Sequence, residues 1–230
     1  MSDTVRPLSP PQAQAIARAF LPAHPLGNRY DYYYTRIKLR TDPLYPGVLE
    51  ALRGTRAPLL DLGCGLGLLA HALRADGQAL DYRGVDIDAA KIRRARRIAE
   101  RSGLPRARFE VLDLKHGAPG HRGSVAILDV LQYLPEAGQS GLIADTARML
   151  EPGARLVIRC GLDDGSRRGR TSRIGDVLAH VAGWMQERPR CPPTRARLQA
   201  ELDAAGLRAR FTPLYGNTPF NNWLIVAEPA

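Results

Sequence analysis

Three features of the sequence predict an α/β fold built on a mostly parallel sheet. From residue 57 onward, short apolar runs alternate with amphipathic helical stretches, as in parallel strands covered on both faces. A glycine-rich turn joins the first apolar run to the helix that follows it, which is typical of a ligand-binding loop. Two apolar runs separated by a short loop end the chain and predict an antiparallel hairpin. Together these features predict a seven-stranded sheet with helices on both faces and an antiparallel last strand.

The region before the first clear strand, residues 1–56, is predicted to be mainly helical. Helices are expected at Gln12–Leu21, which prolines bound at both ends, and at Pro46–Arg53. The tyrosine-rich stretch Asn28–Leu39 lies between them. Residues 57–230 form the second predicted region, which contains an insert rich in glycine and arginine at residues 161–193.

In the second region, buried apolar runs predict the strands, and caps and stop signals predict the helices. The predicted strands cover residues 57–62, 79–85, 108–112, 124–130, 154–160, 207–214 and 222–228. The predicted helices cover residues 66–74, 89–102, 139–150, 173–186 and 194–205. Glycines end three of these helices, at positions 77, 103 and 206.

Asp88 is a good N-cap for helix 89–102. The apolar face of that helix is Ile92, Ala95, Ile98 and Ala99. Its outward arginines are Arg93, Arg94, Arg96, Arg97 and Arg101.

The composition is that of an ordinary globular protein. The 230 residues are 44% hydrophobic and 24% charged, which is enough for one substantial core. No stretch approaches the roughly 20 apolar residues of a membrane span, and the first residues lack the apolar core of a secretory signal. Three cysteines do not suggest a disulfide framework, so a cytoplasmic location is expected.

The charge is strongly positive, with a formal net value of +10. Lys and Arg together number 33 against 23 for Asp and Glu, and lysine occurs only at Lys38, Lys91 and Lys115. A GC-rich coding bias explains the preference for arginine over lysine, but not the excess of base over acid. That excess indicates an acidic partner, such as nucleic acid, a membrane surface or an acidic carrier protein.

The most specific motif is a glycine-rich loop, Gly63-Cys64-Gly65-Leu66-Gly67, directly after a buried strand. Gly63 and Gly65 let a ligand approach the backbone, and the next helix offers free N–H groups and its positive dipole end. The spacing G-x-G-x-G differs from the dinucleotide fingerprint G-x-G-x-x-G, and the Gly-Lys-Ser/Thr of a phosphate-binding loop is absent. Asp61, just before the loop, is also badly placed for a pyrophosphate.

The segment Asp61–Gly67 resembles the first motif of the class I S-adenosylmethionine-dependent methyltransferases, an acidic residue followed by G-x-G-x-G. The resemblance continues at Tyr82–Asp88, Phe109–Leu114, Val125–Leu134 and Leu150–Ile158. It covers roughly residues 57–160. It implies a Rossmann-like fold, S-adenosylmethionine as cofactor, methyltransferase activity and a lid formed by the N-terminal helices.

The resemblance also implies how the motif residues hold the cofactor. Asp86 closes the second strand, where the family places the carboxylate that binds the ribose hydroxyls. Ile87 is expected to pack on the adenine, and Asp61 and Asp129 to neutralise the ammonium and sulfonium charges. A strand-end cap or a surface ion pair is the alternative for each carboxylate. The other expected cofactor contacts are Gly63, Cys64, Gly65, Asp113, Leu114 and Val130.

The tyrosine-rich segment is expected to close over the cofactor. Tyr34 and Lys38 lie one helical turn apart, so Lys38 or Arg36 is expected to pair with the methionine carboxylate, with Tyr34 beside it. A packed aromatic cluster is the alternative. The segment Asn28–Tyr45 is similar to methyltransferases of bacterial aryl polyene pigment assembly lines, which implies an aryl acceptor that an acidic acyl carrier protein could hold. Truncation before Tyr45 is expected to reduce turnover more than it harms the sheet.

A hydroxyl acceptor also needs a base. The candidates are His24, Tyr34, His116 and His180; a surface or structural role is the alternative for each histidine. The residues after the fourth predicted strand, Asp129–Gln132, differ from the Asn-Pro-Pro-Tyr type that methylates exocyclic amines. Asp129 with Asp163 and Asp164 is similar to the cluster of metal-dependent catechol methyltransferases, but the flanking residues differ, so no metal is predicted.

The leading interpretation is a methyltransferase that acts on a small molecule, with two alternatives open. An RNA methyltransferase is supported by the charge alone, and a non-catalytic S-adenosylmethionine-binding subunit would keep the same loop. Two groups of arginines distinguish these functions, because only a nucleic-acid enzyme needs both groups to form one continuous phosphate-binding surface. The first group is on helix 89–102, and the second is on the insert, at Arg167, Arg168, Arg170 and Arg173.

Overall fold

The structure, a computed structural model, describes residues 5–163, 191–216 and 221–230. Within these ranges seven strands form one sheet in the order β3-β2-β1-β4-β5-β7-β6. Every pairing is parallel except the two made by β7, which confirms the prediction of a mostly parallel sheet with an antiparallel last strand. The strands are β1 (Leu59–Leu62), β2 (Tyr82–Asp86), β3 (Ala107–Val111), β4 (Ser124–Leu128), β5 (Leu156–Gly161), β6 (Leu207–Pro213) and β7 (Asn222–Pro229).

Seven α-helices accompany the sheet in the described ranges. They are α1 (Pro10–Ala17), α2 (Tyr30–Thr41), α3 (Leu44–Leu52), α4 (Leu68–Ala75), α5 (Ala89–Arg101), α6 (Glu136–Met149) and α7 (Arg195–Ala204). Short 3-10 turns lie at Arg18–Phe20, Leu114–His116 and Leu131–Tyr133. The helix predicted at residues 173–186 lies outside the described residues.

Local chemistry explains where the observed helix ends differ from the predicted ones. Helix α1 begins earlier than predicted because Ser9 and Gln12 form a capping box across its first turn. Helix α4 begins at Leu68 rather than at residue 66, because Gly67 has a left-handed φ of +76° that a helix interior does not contain. Asp88 caps α5 as predicted, accepting hydrogen bonds from the N–H groups of Ala90 and Lys91.

Two hydrophobic clusters, one on each face of the sheet, form the core. On the face packed against α6 and α7, every second strand residue points into the cluster, including Leu60, Val125 and Ile158. The opposite face takes the alternate set and packs against α1 to α5. The predicted apolar side of α5 lies in this second cluster, with Ile92, Ala95, Ile98 and Ala99 all buried.

The N-terminal helices are built into this core. Phe20, Leu39 and Leu52 are at most 2% exposed and belong to the same cluster as the residues of α4 and α5. Arg155, just before β5, donates a hydrogen bond to the carbonyl of Ala51 (2.7 Å). The buried residues of the N-terminal helices therefore belong to the core, and their burial stabilises the fold.

The topology brings the predicted site residues to one edge of the sheet. Strand β1 lies between β2 and β4. Strands β2 and β3 follow on one side of β1, whereas β4 and β5 follow on the other side, so the strand order reverses here. Ligands of open α/β sheets bind at such a point, beyond the carboxyl ends of the strands. The glycine loop follows β1, Asp86 ends β2 and Asp129 follows β4, so all three lie at this edge.

Candidate functional site

The glycine loop is held against the sheet and leaves one side open. The N–H groups of Gly63 and Cys64 both donate to the carbonyl of Val85, at 2.8 and 3.0 Å. A Cβ at Gly63 would lie 2.3 Å from a methyl carbon of Val130, so this glycine permits close packing with the chain after β4. Gly65 has a φ of +56°, and a Cβ there would meet no described atom within 4 Å. Gly65 therefore faces the space that a ligand would use.

Two other residues of the loop face the protein interior. Gly67 is needed because a Cβ there would lie 2.4 Å from the ring of Phe109. The thiol of Cys64 is buried against Gly84, and burial raises its pKa well above the ordinary value. Its side chain therefore packs in the core, and any ligand contact of Cys64 is made by its main chain.

Asp61 is buried directly beneath this loop, at 2% exposure. The Tyr82 hydroxyl donates a hydrogen bond of 2.5 Å to Oδ2, while Oδ1 has no hydrogen-bond partner among the described residues. Burial, with a smaller contribution from Asp86, raises the pKa of Asp61 to about 7, although the Tyr82 hydrogen bond opposes this. Asp61 is thus a buried acid whose Oδ1 can still accept a hydrogen bond or pair with a cationic group.

Asp86 sits at the end of β2 and is held by two backbone groups. Oδ2 accepts from the N–H of Gly65 (2.9 Å), and Oδ1 accepts from the N–H of Asp88 (2.8 Å). The carboxylate is therefore fixed beside the open side of the glycine loop. Each carboxylate oxygen has a second lone pair, so this residue can still accept hydrogen bonds from a ligand.

Two exposed apolar side chains lie beside Asp86. Ile87 is 55% exposed and Val111, which pairs with Asp86 in the sheet, is 51% exposed. Together they offer an apolar surface at the ends of β2 and β3, suited to a flat ring. Asp113 accepts from the N–H of Lys115 (2.9 Å), and Leu114 packs partly buried against the core on the far side of the sheet from α4.

The other end of the site contains four charged side chains that we call the charge quartet. It consists of Lys38 and Asp42 from the end of α2, Asp129 after β4, and Arg159 in β5. Arg159 donates to Asp129 and to both oxygens of Asp42 (3.1 and 3.3 Å). Lys38 lies 2.5 Å from Asp42 Oδ2 and 3.7 Å from Asp129 Oδ2. The quartet therefore fastens α2 to the edge of the sheet.

Tyr34 lies one turn before Lys38 on the same side of α2. Its ring stacks on that of Tyr30, with the centroids 6.2 Å apart. Burial raises the pKa of Tyr34, a change that the nearby Lys38 ammonium partly offsets. The hydroxyl keeps its proton at neutral pH, so it is suited to donate a hydrogen bond rather than to act as a base.

The histidines predicted as base candidates are dispersed. His24 is exposed in the loop before α2 and accepts a hydrogen bond from the N–H of Leu26. His116 has a side chain 85% exposed, 3.7 Å from Asp113. His180 lies outside the described residues, as do Asp164 and the insert arginines. Within the described ranges, no group of three or more His, Cys, Asp or Glu side chains is arranged to hold a metal.

Sequence reasoning missed several residues of this edge. Val111 was missed because its exposure depends on β3 being an edge strand. Asp42 and Arg159 were missed because they are 117 residues apart in the chain and no local pattern relates them. Tyr82 was missed as the partner of Asp61 for the same reason. Tyr45, 8% exposed, also lies near the carboxylates of Asp42, Asp61 and Asp129.

The arginines of α5 do not form one uniform outward face, which corrects the sequence prediction. Arg94 pairs with Asp31 of α2 at 2.9 Å. Arg101 donates to the carbonyls of Ala19 and Leu21, at 3.0 and 2.5 Å. These two arginines hold the N-terminal segment, because they lie where α5 faces it. Arg93 and Arg97 are exposed.

Comparison with known proteins relates this site to methyltransferases. A family model described as a methyltransferase domain matches residues 59–153. A ubiquinone biosynthesis O-methyltransferase from Thiobacillus denitrificans is 31% identical over 107 residues, covering 43% of this chain and 44% of the relative. A 23S rRNA uracil methyltransferase from the same organism is 32% identical over 130 residues, covering 56% of this chain and 28% of the relative. The chain thus spans less than half the length of these two curated relatives.

A solved structure extends the likeness over most of the chain. The magnesium protoporphyrin IX methyltransferase of Synechocystis PCC 6803, with SAH bound, has a TM-score of 0.64 and 18% identity. The match covers 93% of this chain and 92% of that one, and at this identity it shows the fold. Among the described residues, none of the helices is both long and apolar enough to cross a membrane. In the matched segment, the sheet order and the glycine loop, residues 59–153 are similar to the methyltransferase domains of the class I S-adenosylmethionine-dependent kind.

Proposed function

We propose that this protein transfers a methyl group from S-adenosylmethionine to a small aromatic acceptor, an aryl or hydroxyaryl acid. The observation that carries the first part is the open side of the glycine loop next to Asp86. Gly65 leaves room for a ligand there, and its N–H fixes the Asp86 carboxylate beside that room. When bound, S-adenosylmethionine supplies the methyl group as an activated sulfonium.

The residues at this edge suit the different parts of the cofactor in order. Ile87 and Val111 offer an apolar surface for the adenine. Asp86 accepts from the ribose hydroxyls, with charge-assisted bonds worth about 1.5–3 kcal/mol each. The unpartnered oxygen of Asp61 and the carboxylate of Asp129 face the cationic groups. The further contacts proposed are the main chains of Gly63 and Cys64 and the side chains of Asp113, Leu114 and Val130.

The acceptor side is proposed from α2. Tyr30, Tyr33 and Ile37 recur at helical spacing and are between 46% and 55% exposed. Such a surface favours an aromatic acceptor, which Tyr34 orients by donating a hydrogen bond. The chain thus accelerates transfer mainly by aligning the acceptor and excluding water. A carrier-bound acceptor is a narrower form of this proposal, which the net charge of +10 supports.

Calorimetry with S-adenosylmethionine tests the first part of the proposal. Asp86→Ala is expected to weaken binding by about tenfold or more, from the loss of charge-assisted hydrogen bonds. Asp81→Ala is the matched control, because Asp81 precedes β2 at the opposite edge of the sheet and pairs with Arg106 at the surface. Equal affinities for the folded Asp86→Ala variant and the wild type would refute the ribose assignment.

A transfer assay with labelled cofactor tests the acceptor. Phenols, aryl acids, carrier-bound aryl thioesters and total RNA are compared in parallel. Label in an aryl acid or phenol supports the proposal, and label only in RNA replaces it. Cofactor binding without transfer to any of these supports a non-catalytic binding subunit.

RNA methylation is the second candidate function, favoured by the net charge and by the likeness to the rRNA methyltransferase. Against it, several arginine side chains of the described residues already form hydrogen bonds or ion pairs within the fold. Arg74 alone donates to the carbonyls of Gln78, Leu80 and Pro105, and Arg83 pairs with Glu110. A residue whose donors already bind the protein has less to offer to phosphates.

A further inference from the structure

We propose that Arg159 is a positioning residue, which holds the charge quartet so that the Lys38–Asp129 pair opens to bind the amino-acid end of the cofactor. This inference rests on the proposed function. Arg159 itself lies too deep to touch the ligand, at 5% exposure. It acts through the two carboxylates that it binds.

The quartet has a buried pair and an outer pair. The side chains of Arg159 and Asp42 are 6% and 9% exposed and lie 3.1 Å apart. Those of Lys38 and Asp129 are 25% and 30% exposed, and their contact is longer, at 3.7 Å. The buried pair therefore forms a fixed base, and the outer pair is the part that a ligand can reach.

The outer pair can separate without leaving a charge unpaired. If Lys38 leaves Asp129, it keeps its 2.5 Å contact with Asp42. Asp129 in turn keeps its hydrogen bond from Arg159. Since an unpaired charge in a poorly hydrated site is costly, this arrangement lowers the cost of opening the pair. Burial alone would lower the pKa of Lys38, but the Asp42 and Asp129 carboxylates raise it, so the ammonium persists.

An opened Lys38–Asp129 pair is complementary to an amino-acid zwitterion. The ammonium of Lys38 suits a carboxylate, and the carboxylate of Asp129 suits an ammonium. The sheet order places β4 two strands from β2, which is about 10 Å at the usual strand spacing. With the ribose at Asp86 on β2, the far end of the cofactor crosses β1 and meets Asp129 after β4.

Arg159 also holds the backbone at Asp129. The N–H of Asp129 donates to the carbonyl of Arg159 at 2.8 Å. Asp129 has a left-handed φ of +60°, which is uncommon for any residue but glycine and is tolerated by Asp. The main chain of Arg159 thus binds the backbone of Asp129, and its side chain binds the Asp129 carboxylate.

The test compares two ligands that differ only at the amino-acid end. S-adenosylhomocysteine carries the zwitterion, whereas methylthioadenosine has the same nucleoside and sulfur without it. In Arg159→Met we expect the affinity for S-adenosylhomocysteine, measured by calorimetry, to fall by about tenfold or more. The affinity for methylthioadenosine is expected to stay within about twofold. Arg159→Lys restores the charge without the planar fork and is expected to lie in between.

Two further variants guard against a general loss of structure. Arg159→Met combined with Asp42→Asn removes one charge of each sign, so no unbalanced carboxylate remains, and the same selective loss is expected. Arg155→Met is the matched control. Arg155 lies in the strand region before Arg159 and also pairs with a carboxylate, Glu228, at 2.9 Å, but at the opposite edge of the sheet. It should change the affinity for neither ligand.

The outcomes separate this inference from the proposed function. An equal loss of affinity for both ligands in the Arg159 variants indicates a general disturbance of the pocket and overturns the positioning role. Unchanged affinity for both ligands overturns it as well. A wild-type protein that binds neither ligand overturns the proposed function, and this inference with it.

Discussion

The carboxyl group of Asp61 is protonated in the folded protein over a pH range in which it ionises in the unfolded chain. Burial beneath the glycine loop raises its pKa from the ordinary value of 3.8 to about 7. The folded state therefore binds more protons than the unfolded state between these two values. The contribution of Asp61 to stability is complete below about pH 4 and is lost as the pH rises through 7.

Replacing Asp61 is expected to change the pH dependence of stability. In wild-type protein without ligand, the free energy of unfolding should fall between pH 4 and pH 7, by a few kcal/mol at most from this residue. Asp61→Asn keeps an acceptor for Tyr82 but cannot ionise, so its stability should fall less over this range. Denaturant unfolding at several pH values measures the difference. Parallel curves for the two proteins would show that Asp61 ionises normally.

Gly65 is expected to be needed for the ligand, whereas another glycine with a similar backbone is not. Gly65→Ala and Gly54→Ala both place a Cβ at positive φ with no described atom within 4 Å. Both should lose about 1–2 kcal/mol of stability from the left-handed conformation. Only Gly65→Ala should lose affinity for S-adenosylmethionine, by about tenfold or more in calorimetry. Normal binding by a folded Gly65→Ala variant would place the ligand elsewhere.

Helix α5 contributes to the fold with one face and ties down the N-terminal segment with another. Its apolar residues pack on the sheet, as their spacing predicts. Arg94 and Arg101 contact Asp31 and the carbonyls of residues 19 and 21. The helix therefore positions α2, and through α2 it positions the outer pair of the charge quartet.

Removing the anchoring arginines is expected to loosen the N-terminal segment. The double variant Arg94→Ala and Arg101→Ala should show faster amide hydrogen exchange over residues 18–37, because it loses an ion pair and two carbonyl bonds. Arg93→Ala with Arg97→Ala removes the same charge from exposed positions and is the control. If the control variant instead loses RNA binding while the anchoring pair does not, the RNA alternative gains support.

At the level of the whole chain, the N-terminal segment contributes to the hydrophobic core. It supplies buried residues to the cluster that also contains α4 and α5, among them Ala13, Phe20 and Leu39. Removing it would expose the apolar residues of this cluster against which it packs. Because these residues are buried, we expect truncation before Tyr45 to destabilise the sheet as well as to reduce turnover.

A chain that begins at Leu44 is expected to lose cooperative thermal unfolding and to bind a hydrophobic dye. The loss of several buried side chains costs about 2–5 kcal/mol each, and the sum exceeds the free energy of unfolding of a typical domain. A chain that begins at Val5 should melt like the full protein. Cooperative unfolding of the Leu44 chain at the wild-type temperature would contradict this packing.

From residue 57 onward, the sequence by itself determined the order of the described strands and helices, the glycine loop and the position of Asp86 at the end of β2. These features depend on neighbours along the chain: apolar periodicity, helix caps, and a motif of consecutive residues. Helix α2, before this region, was not predicted as a helix. Helix ends were less exact, as at Gly67, because a single left-handed residue moves the boundary.

Only the tertiary structure decided which charged groups meet. Lys38 and Asp129 were predicted as site residues, but their respective partners Asp42 and Arg159 were not. The same holds for Tyr82 beneath Asp61 and for the division of the α5 arginines. Such contacts form because β1 lies between β2 and β4, and because α2 is packed across the edge of this sheet. Ion pairs act over a few ångströms of space whatever the separation in the chain, so no local pattern encodes them.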